Sequence, residues 1–484
     1  MKKIFKSENK KRTEIFNIIK DNLETSTSHG IPNIVRNKNW IIKIIWTICF
    51  SVSFAYCVYN LTKSFEIYFS YETDTKVTNN RLASIDFPTI TICNKNKFNL
   101  AKNANISNKM IELKNFYIEN FIQLTPYSIN VFDILSYNLF YDYLQNPYYF
   151  KEAGFELEQI LLNCKFNSMI CNKDNFGKVF SPLSGKCFTF NFKMPIKNSV
   201  YPGSEYGLKL ELYTGLLDKN YDLIRSSGFL IFIHNSSIKQ FDILNGINLP
   251  VGYETDIVIS KEHSKKMPYP YSNCIEDISS NDSFDSELYR KTLKNNGIYQ
   301  QRNCLITCVD EYIIQECGCN PIPIDIEQGC NMTMIFDCVA GKYSEFYNSS
   351  KATECQDFCP EECESIKYNY KTNYADFPSP FYSDILIKSN YLWSNNSWNN
   401  STYEDVKKSV LAVNIFYDDI SVKMIEESPS KTIDQLVADI GGFLGLCIGI
   451  SILSIIELIE LILRIFILVI TKKNNVHSKD SLNI

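Results

Sequence analysis

Two long apolar stretches separate three polar regions of this chain. The first runs from Trp40 to about Leu61 and is interrupted early only by Lys43, and the second runs from about Thr432 to Ile470. Each is long enough to cross a bilayer, because a spanning helix needs roughly 20 apolar residues. About forty residues precede the first stretch. We therefore interpret it as an uncleaved membrane helix rather than as a signal peptide.

The second stretch carries charges that a passive anchor does not need. Asp439, Glu457, Glu460 and Arg464 all lie within it. A carboxylate in hydrocarbon costs about 3 kcal/mol even on the most lenient scale, so such residues usually face a bundle interior or a water-filled path. The pattern favours a helix that lines a pore.

Small residues recur in the same stretch, at Gly441, Gly442, Gly445, Gly449 and Ser451. Their spacing lets helix backbones approach closely. A small-residue dimerisation face on an ordinary anchor is therefore the competing interpretation. The triplet from Gly449 to Ser451 is also a place where a helix can break and turn its carbonyl groups toward an ion.

The basic residues predict the orientation of the chain. They lie before the first stretch and after the second, at Lys2, Lys3, Lys6, Lys10, Lys11, Arg12, Arg36, Lys38, Lys472 and Lys473. Because cytoplasmic flanks carry the excess of Lys and Arg, both termini are predicted to be cytoplasmic. The predicted boundaries are a cytoplasmic tail at 1–39, a first span at 40–62, an extracellular domain at 63–431, a second span with the pore at 432–470, and a cytoplasmic tail at 471–484.

Glycosylation sequons and cysteines agree with this orientation. The sequons between the spans begin at Asn105, Asn235, Asn281, Asn331, Asn348, Asn395, Asn399 and Asn400. Fourteen of the seventeen cysteines also lie between the spans, and the others are Cys49, Cys57 and Cys447. An even number of cysteines in an oxidising compartment predicts seven disulfides rather than zinc ligation. Their connectivity does not follow from the spacing.

Within the extracellular region, alternating apolar positions predict strands. These strands are expected at 87–94, 186–191, 208–212, 229–234 and 411–416. A helical pattern covers 108–162. Further on, the spacing of Cys304 with Cys308, and of Cys355 with Cys359 and Cys363, places each set along one face of a helix.

Composition excludes several classes of function. The net charge is −5, which gives no indication of a nucleic-acid partner. The extracellular region holds only two histidines, His234 and His263, so neither a zinc site nor histidine catalysis is expected. No nucleophile elbow or phosphate-binding glycine loop is present. We therefore expect no enzyme activity, no cofactor and no metal site.

Several motifs together carry a resemblance to a known family. They are His29-Gly30, the Phe87–Asn94 strand, Gly185-Lys-Cys-Phe-Thr-Phe-Asn191, Pro268-Tyr-Pro-Tyr271 before Cys274, the cysteine ladder, and Asp439-Ile-Gly-Gly followed by Gly449-Ile-Ser451. With these residues the chain resembles subunits of the degenerin, epithelial sodium channel and acid-sensing ion channel superfamily. The resemblance implies a trimeric channel with two transmembrane helices and a hand-like α+β ectodomain. That ectodomain has a β-strand palm and ball, a finger at about 100–170 and a thumb at about 274–365.

The resemblance also implies the cysteine pairing. The implied disulfides are Cys93–Cys187, Cys164–Cys171, Cys274–Cys363, Cys304–Cys359, Cys308–Cys355, Cys317–Cys338 and Cys319–Cys330. This pairing uses all the cysteines between the spans.

Pore roles follow from the same resemblance. Gly449, Ile450 and Ser451 match the narrowest part of the open pore, which selects sodium over potassium. His29 and Gly30 match a re-entrant loop below that constriction and are expected to take part in gating.

Further positions match acidic and gating residues of the family. Asp439 matches the outer-pore acidic position where divalent cations and amiloride-type blockers act. Glu457 and Glu460 match inner-pore positions that concentrate cations by Coulomb attraction. Ala438 matches the degenerin position, where bulky side chains hold channels open. Tyr71 and Tyr271 match a contact that passes ectodomain motion to the membrane, although the acid-sensing branch has Trp in place of Tyr271.

One departure from the family bears on the stimulus. The acid-sensing branch has two histidines after the tyrosine that matches Tyr71, whereas this chain has Glu72 and Thr73. Histidine is the side chain that titrates near neutral pH, so the sequence disfavours proton gating. We expect a sodium-permeable channel that is opened by an extracellular RFamide-type neuropeptide and blocked by amiloride.

The overall character is closest to the cnidarian members of the family, which often form heterotrimers and can pass calcium. The expected partners are therefore homologous subunits, sodium ions, the peptide and the lipid bilayer of the plasma membrane. The alternatives are a proton-gated or constitutive sodium channel, a non-conducting receptor, and a two-span ATP-gated channel.

Overall fold

The computed structural model describes most of the chain. The described residues are 2–97, 99, 115, 154–181, 184–193, 195–215, 226–236, 246–321, 329–330, 334–388 and 401–480. The chain divides into two units. The first unit is Met1–Asp74 together with Ser428–Ile484, and the second is Thr75–Glu427.

The helices of both units are given in chain order. Among the described residues they are α1 (Lys2–Thr25), α2 (Ile31–Arg36), α3 (Trp40–Phe69), α4 (Leu157–Ile160), α5 (Glu287–Asn296), α6 (Gln301–Cys317), α7 (Ala340–Asn348), α8 (Lys351–Phe358), α9 (Pro380–Lys388), α10 (Tyr403–Lys407), α11 (Ile433–Ile448) and α12 (Ile452–Asp480). A π-helical turn, Ile335–Val339, precedes α7.

The strands form most of the second unit. They are β1 (Thr73–Arg81), β2 (Ile85–Asp86), β3 (Thr89–Asn94), β4 (Leu161–Phe166), β5 (Met169–Ile170), β6 (Phe176–Ser181), β7 (Gly185–Phe190), β8 (Asn198–Ser199), β9 (Leu208–Tyr213), β10 (Gly228–His234), β11 (Ile247–Pro250), β12 (Tyr253–Lys265), β13 (Glu364–Asp376) and β14 (Val410–Pro429).

The first unit holds the apolar helices. Among the described residues, α3 is the one helix that is long and apolar enough to span a membrane by itself. Residues 433–448 and 452–467 meet the same test together, but the two segments are bent by 75° at the break between them. The first predicted span is thus a continuous helix, and the second is a broken one. Outside the spans, the basic N-terminal region forms the helix α1, which the polar sequence did not indicate.

Two large sheets that are mostly antiparallel, and a two-stranded sheet of β2 and β8, build the described part of the second unit. The larger has the order β13-β12-β14-β9-β4-β5, with β1 also paired to β14. In it, β12 runs parallel to β14 and antiparallel to β13. The smaller sheet has the order β11-β10-β3-β7-β6. The strands expected from alternating residues are all present; four differ by one or two residues at their ends, and the fifth, expected at 411–416, continues to Pro429 as β14.

Aromatic side chains fill the core between these strands. Phe87 packs edge-on against Phe166 and Tyr417, at ring-centroid distances of 5.0 and 6.2 Å. Phe166 and Phe190 lie 5.3 Å apart. The Tyr417 hydroxyl donates a 2.8 Å hydrogen bond to the carbonyl oxygen of Asp86, so its polar group is satisfied inside the core.

Seven disulfides stabilise the second unit. They join Cys93 to Cys187, Cys164 to Cys171, Cys274 to Cys363, Cys304 to Cys359, Cys308 to Cys355, Cys317 to Cys338, and Cys319 to Cys330. These are the pairs that the family resemblance implies. Cys308–Cys355 connects α6 to α8, and Cys304–Cys359 connects α6 to the residue that follows α8.

One helical expectation in this region was wrong. Cys355 lies on α8, but that helix ends at Phe358, so Cys359 and Cys363 do not continue its face. Pro360 follows directly, and a proline disfavours helical geometry in the residue before it. The predicted helical pattern at 108–162 also overran, because Leu161 and Leu162 begin β4.

Several predictions lie outside the described residues. They are the sequons at Asn105, Asn331, Asn395, Asn399 and Asn400, and most of the finger region and of the helical pattern before residue 154. The sequons at Asn235, Asn281 and Asn348 lie on described backbone of the second unit.

Candidate channel site at the broken span

The break in the second span is built by glycine. α11 ends at Ile448, and Gly449 caps it with a φ of 72°, a left-handed conformation that glycine adopts without steric cost. The N–H of Gly449 donates to the carbonyl oxygen of Gly445 at 3.0 Å, and the N–H of Ile450 donates to that of Leu444 at 3.1 Å. The helix therefore stops within the apolar stretch while these carbonyl groups stay hydrogen-bonded.

Ser451 starts the next helix. Its hydroxyl accepts from the N–H of Ser454 at 3.4 Å, and the N–H of Ser451 donates to the Ser454 hydroxyl at 3.2 Å. This reciprocal arrangement is that of an N-terminal cap. Gly449 thus ends one helix and Ser451 begins the other, so the first and last residues of the triplet each have a structural role.

The segment before α2 packs against this break. The N–H of His29 donates a 2.7 Å hydrogen bond to the carbonyl oxygen of Ile448. A Cβ atom built on Gly449 would lie 2.5 Å from the His29 ring and 2.9 Å from its backbone nitrogen. Gly30 adopts a φ of 90°, and its Cα faces the Phe50 ring of α3. The structure therefore brings His29 and Gly30 to the predicted constriction.

The carboxylate of Glu457 binds the same N-terminal segment. The Thr27 hydroxyl lies 3.2 Å from Glu457 Oε2, and the Thr27 N–H lies 3.3 Å from that atom. The Thr27 hydroxyl also lies 2.8 Å from the Ser454 hydroxyl. Glu457 therefore ties the N-terminal segment to α12.

The other two predicted pore carboxylates also have partners. Asp439 Oδ2 lies 2.6 Å from the Lys431 ammonium and accepts a 2.9 Å hydrogen bond from the Ser64 hydroxyl. Glu460 forms an ion pair with Arg464 one turn further along α12. Asp439, Glu457 and Glu460 are thus all paired within the chain. The expectation that Glu457 and Glu460 attract cations did not anticipate these partners.

The remaining predicted gating residues lie in different units. Ala438 is exposed on α11. Tyr71 follows α3 in the first unit and has a φ of 53°. Tyr271 lies in the second unit, where its N–H donates to the carbonyl oxygen of Pro268 at 3.0 Å.

Three residues of the site were missed by sequence reasoning, namely Thr27, Ser64 and Lys431. A polar residue in an apolar helix was the available signal for Ser64. The signal for Lys431 was its position just before Thr432. Thr432 and Gln435 form a reciprocal cap at the start of α11.

Comparison with known proteins decides the family. The model of the amiloride-sensitive sodium channel family matches residues 23–461. The chain belongs to this family. It is 27% identical to the bile acid-sensitive ion channel of Mus musculus, over 90% of this chain and 85% of that protein. It is 29% identical to the gamma subunit of the epithelial sodium channel of Rattus norvegicus, over 68% of this chain and 50% of that protein.

Among solved structures, one of a proton-activated chloride channel matches 87% of this chain and 96% of that chain. The TM-score of this match is 0.33 and the sequence identity is 6%. The family assignment confirms the superfamily that the motifs indicated. It also makes this chain a member of a family of ion channels rather than of enzymes.

In this sodium channel family member, the ectodomain histidines are held in specific environments. His234 is largely buried at the end of β10, and its ring nitrogen lies 2.9 Å from the Thr91 hydroxyl. Burial lowers the pKa of His234 below its usual value, which favours the neutral form of the ring. His263 lies 2.7 Å from a carboxylate oxygen of Glu364.

Two carboxyl groups near the start and middle of α6 have raised pKa values. Burial on α6 raises the pKa of Asp310 to about 7, although the charge of Lys291 and a hydrogen bond from Tyr343 favour its ionised form. Burial also raises the pKa of Glu362, whose carboxylate accepts a 2.9 Å hydrogen bond from the N–H of Gln301 at the start of α6.

The same helices line a cavity of about 450 Å³. Its lining includes carboxylates, ammonium groups and aromatic rings, namely Glu287, Glu311, Glu354, Lys291, Lys351, Tyr312, Phe346 and Phe358. The Lys351 ammonium lies 4.3 Å from the centre of the Tyr312 ring and so occupies the face of that ring. Glu311 forms an ion pair with Lys291, so Glu287 and Glu354 are the lining carboxylates without a lysine partner among the described residues.

Proposed function

We propose that this chain is a subunit of a trimeric, sodium-permeable cation channel of the plasma membrane. The observation that carries the proposal is the break between α11 and α12, where Gly449, Ile450 and Ser451 interrupt an apolar span against the His29 segment. Non-helical backbone at membrane depth is tolerated where it lines a cavity or is buried in protein. Gly449, Ile450 and Ser451 then form the selectivity filter, and His29 and Gly30 support it from the cytoplasmic side.

A face of α11 supports assembly with further subunits. Ala438, Gly441, Gly442 and Gly445 are exposed on this helix, and no atom of the described residues lies within 4 Å of a Cβ built on any of the three glycines. Small exposed residues let neighbouring membrane helices approach closely. Whether the partner subunits are identical or homologous, this face is available to them.

We further propose that both termini are cytoplasmic and that residues 63–431 are extracellular. The basic flanks of the two spans and the position of the sequons support this orientation. Seven disulfides in the second unit agree with an oxidising compartment. Tyr71 and Tyr271 would then transmit ectodomain motion to the pore, and Ala438 would limit its opening.

For the stimulus we propose an extracellular RFamide-type peptide. The support is that Glu287 and Glu354 could face its arginine, and the rings of Phe346 and Phe358 its phenylalanine, in the cavity between α5, α6, α7 and α8. The lowered pKa of buried His234 gives no support to histidine-based acid sensing. A specific observation favours a second candidate, however, because Asp310 titrates close to neutral pH in the same helical region. Proton gating through a carboxyl group is therefore the alternative.

The experiment is a recording of membrane current from oocytes that express this chain, alone and with related subunits. Pulses of an amidated RF peptide, of acid and of a bile acid are applied in turn, with and without amiloride. A peptide-evoked inward current that amiloride blocks supports the full proposal. A current evoked only by acid or only by bile acid overturns the peptide assignment and leaves the channel intact. No current in any combination, with the protein present at the surface, contradicts the channel proposal.

A further inference from the structure

Three polar side chains meet at one end of α11 in the first unit. The Lys431 ammonium lies 2.6 Å from Asp439 Oδ2 and 2.6 Å from the Ser64 hydroxyl. The Ser64 hydroxyl in turn donates to the same Asp439 oxygen at 2.9 Å. Each of the three side chains therefore contacts the other two.

The local structure holds the lysine in this arrangement. Thr432 and Gln435 cap α11 reciprocally, which fixes the direction in which the chain enters the helix. Ser64 is buried on α3 and presents its hydroxyl to both charged groups. Only 13% of the Lys431 side chain is exposed, compared with 38% of the Asp439 side chain. The ammonium is thus enclosed, while the carboxylate keeps an exposed side.

The charge of Lys431 weakens the attraction of Asp439 for any further cation. A free carboxylate attracts a divalent cation strongly, but a carboxylate that already contacts an ammonium group has little net charge to offer. A buried lysine that is satisfied by both a carboxylate and a hydroxyl is also costly to displace. Any cation that approaches Asp439 from its exposed side meets the charge of Lys431.

We propose that Lys431 is an intrinsic counter-ion of the outer pore, which occupies Asp439 and so weakens the binding of extracellular divalent cations there. The proposal rests on the proposed function only in placing Asp439 at the outer end of the pore. It makes Lys431 a specificity-determining residue and Ser64 its positioning residue. The site that it controls takes Ca²⁺ or Mg²⁺ only when the lysine is removed or displaced.

The test uses the full-length protein and the variant Lys431→Gln. Block of the stimulated sodium current by extracellular Ca²⁺ is measured for the wild type, for Lys431→Gln and for Lys431→Arg. We expect Lys431→Gln to lower the half-blocking Ca²⁺ concentration by about tenfold, because a full carboxylate charge is released. Lys431→Arg keeps the charge and is expected to leave the value within about twofold of the wild type. In the double variant Lys431→Gln/Asp439→Asn, the half-blocking Ca²⁺ concentration should return to about the wild-type value.

A second measurement does not depend on conduction. Binding of ⁴⁵Ca²⁺ to the purified full-length protein is measured by equilibrium dialysis for the same variants. Additional bound Ca²⁺ in Lys431→Gln, absent when Asp439 is also changed to Asn, supports the proposal even if no current can be evoked. Ser64→Ala, which keeps both charges, should give a smaller gain in binding than Lys431→Gln.

Two results would overturn the proposal. One is unchanged Ca²⁺ block and unchanged Ca²⁺ binding in Lys431→Gln. The other is a gain that persists after Asp439→Asn, because the cation would then bind elsewhere. Loss of current in every variant and in the wild type, with the gain in binding intact, would instead contradict the proposed channel function.

Discussion

The backbone N–H of His29 donates a 2.7 Å hydrogen bond to the carbonyl oxygen of Ile448, the last residue of α11. A helix that ends within an apolar span leaves carbonyl groups without helical partners, and each must be satisfied in another way. The N-terminal segment satisfies this one. The break and the segment beside it are therefore one structural unit, although more than four hundred residues separate them in sequence.

Gly449→Ala tests this close packing. The alanine would carry a left-handed backbone that costs about 1–2 kcal/mol, and its Cβ would lie 2.5 Å from the His29 ring. We expect loss of sodium current and a lower thermal midpoint of the purified protein. Gly341→Ala, on an exposed face of α7, is the control, because nothing outside that helix's own backbone lies within 4 Å of its Cβ. Equal behaviour of the two variants would contradict the close packing of His29 on Gly449.

Thr27 and Glu457 should be energetically coupled. The Thr27 hydroxyl and N–H both lie within hydrogen-bonding distance of Glu457 Oε2. A double-mutant cycle with Thr27→Val and Glu457→Gln, measured on the thermal midpoint, is expected to give a coupling free energy of about 0.5–3 kcal/mol. The control cycle uses Thr25→Val, whose hydroxyl contacts only nearby backbone of α1 in the described part of the chain. Additive effects in the Thr27 cycle would show that the contact carries no free energy.

Asp310 should make the stability of the protein depend on pH. Burial raises its pKa from 3.8 to about 7, so the folded protein binds this proton more tightly than the unfolded chain does. The resulting stabilisation is complete below about pH 3.8 and is lost as the pH rises through about 7. Asp310→Asn stays neutral, so it should raise the thermal midpoint most at pH 8, less at pH 5, and little below about pH 3.8.

Asp357→Asn, an exposed change on α8, serves as the control for that comparison. Its effect should be the same at pH 5 and pH 8. A lower midpoint for Asp310→Asn at pH 8 would mean that the ionised carboxylate stabilises the fold through Lys291 and Tyr343, contrary to the prediction from burial.

Two free cysteines should cross-link α3 to α11. The buried Cys57 thiol on α3 lies 3.6 Å from the carbonyl oxygen of Phe443, one turn before the free Cys447 on α11. Oxidation of the full-length protein by copper phenanthroline should join these two sulfurs, which mass spectrometry of the digested protein would detect. Cys447→Ser should abolish the product, whereas Cys49→Ser should not. A product that contains Cys49 instead would contradict the helix pairing.

Local patterns predicted the elements of this protein well. Alternation identified β3, β7, β9, β10 and the start of β14, because burial on one sheet face imposes that pattern on neighbouring residues. The glycine and serine at 449 and 451 indicated the helix break, since both act on the backbone within a few residues. Pro360 also carried a local signal, which the cysteine spacing outweighed, so that Cys359 was wrongly expected on a helix.

The contacts of the site were harder to predict. Thr27 with Glu457, and Ser64 with Lys431 and Asp439, join residues far apart in sequence whose types are common at polar helix ends. Nothing in their spacing distinguishes a paired carboxylate from one that faces a pore. Sequence reasoning therefore found the carboxylates but not the partners that neutralise them.

In the proposed channel, the break at Gly449–Ser451 selects sodium over potassium. The reversal potential of the stimulated current tests this selectivity most directly. With sodium outside and potassium inside, we expect the wild-type current to reverse at a strongly positive potential. Ser451→Ala removes the cap of α12 and should shift the reversal potential toward that of a nonselective pore. Ser51→Ala, on an exposed face of α3, should leave it unchanged. A wild-type reversal potential near zero, or one that Ser451→Ala does not alter, would contradict the assignment of the filter.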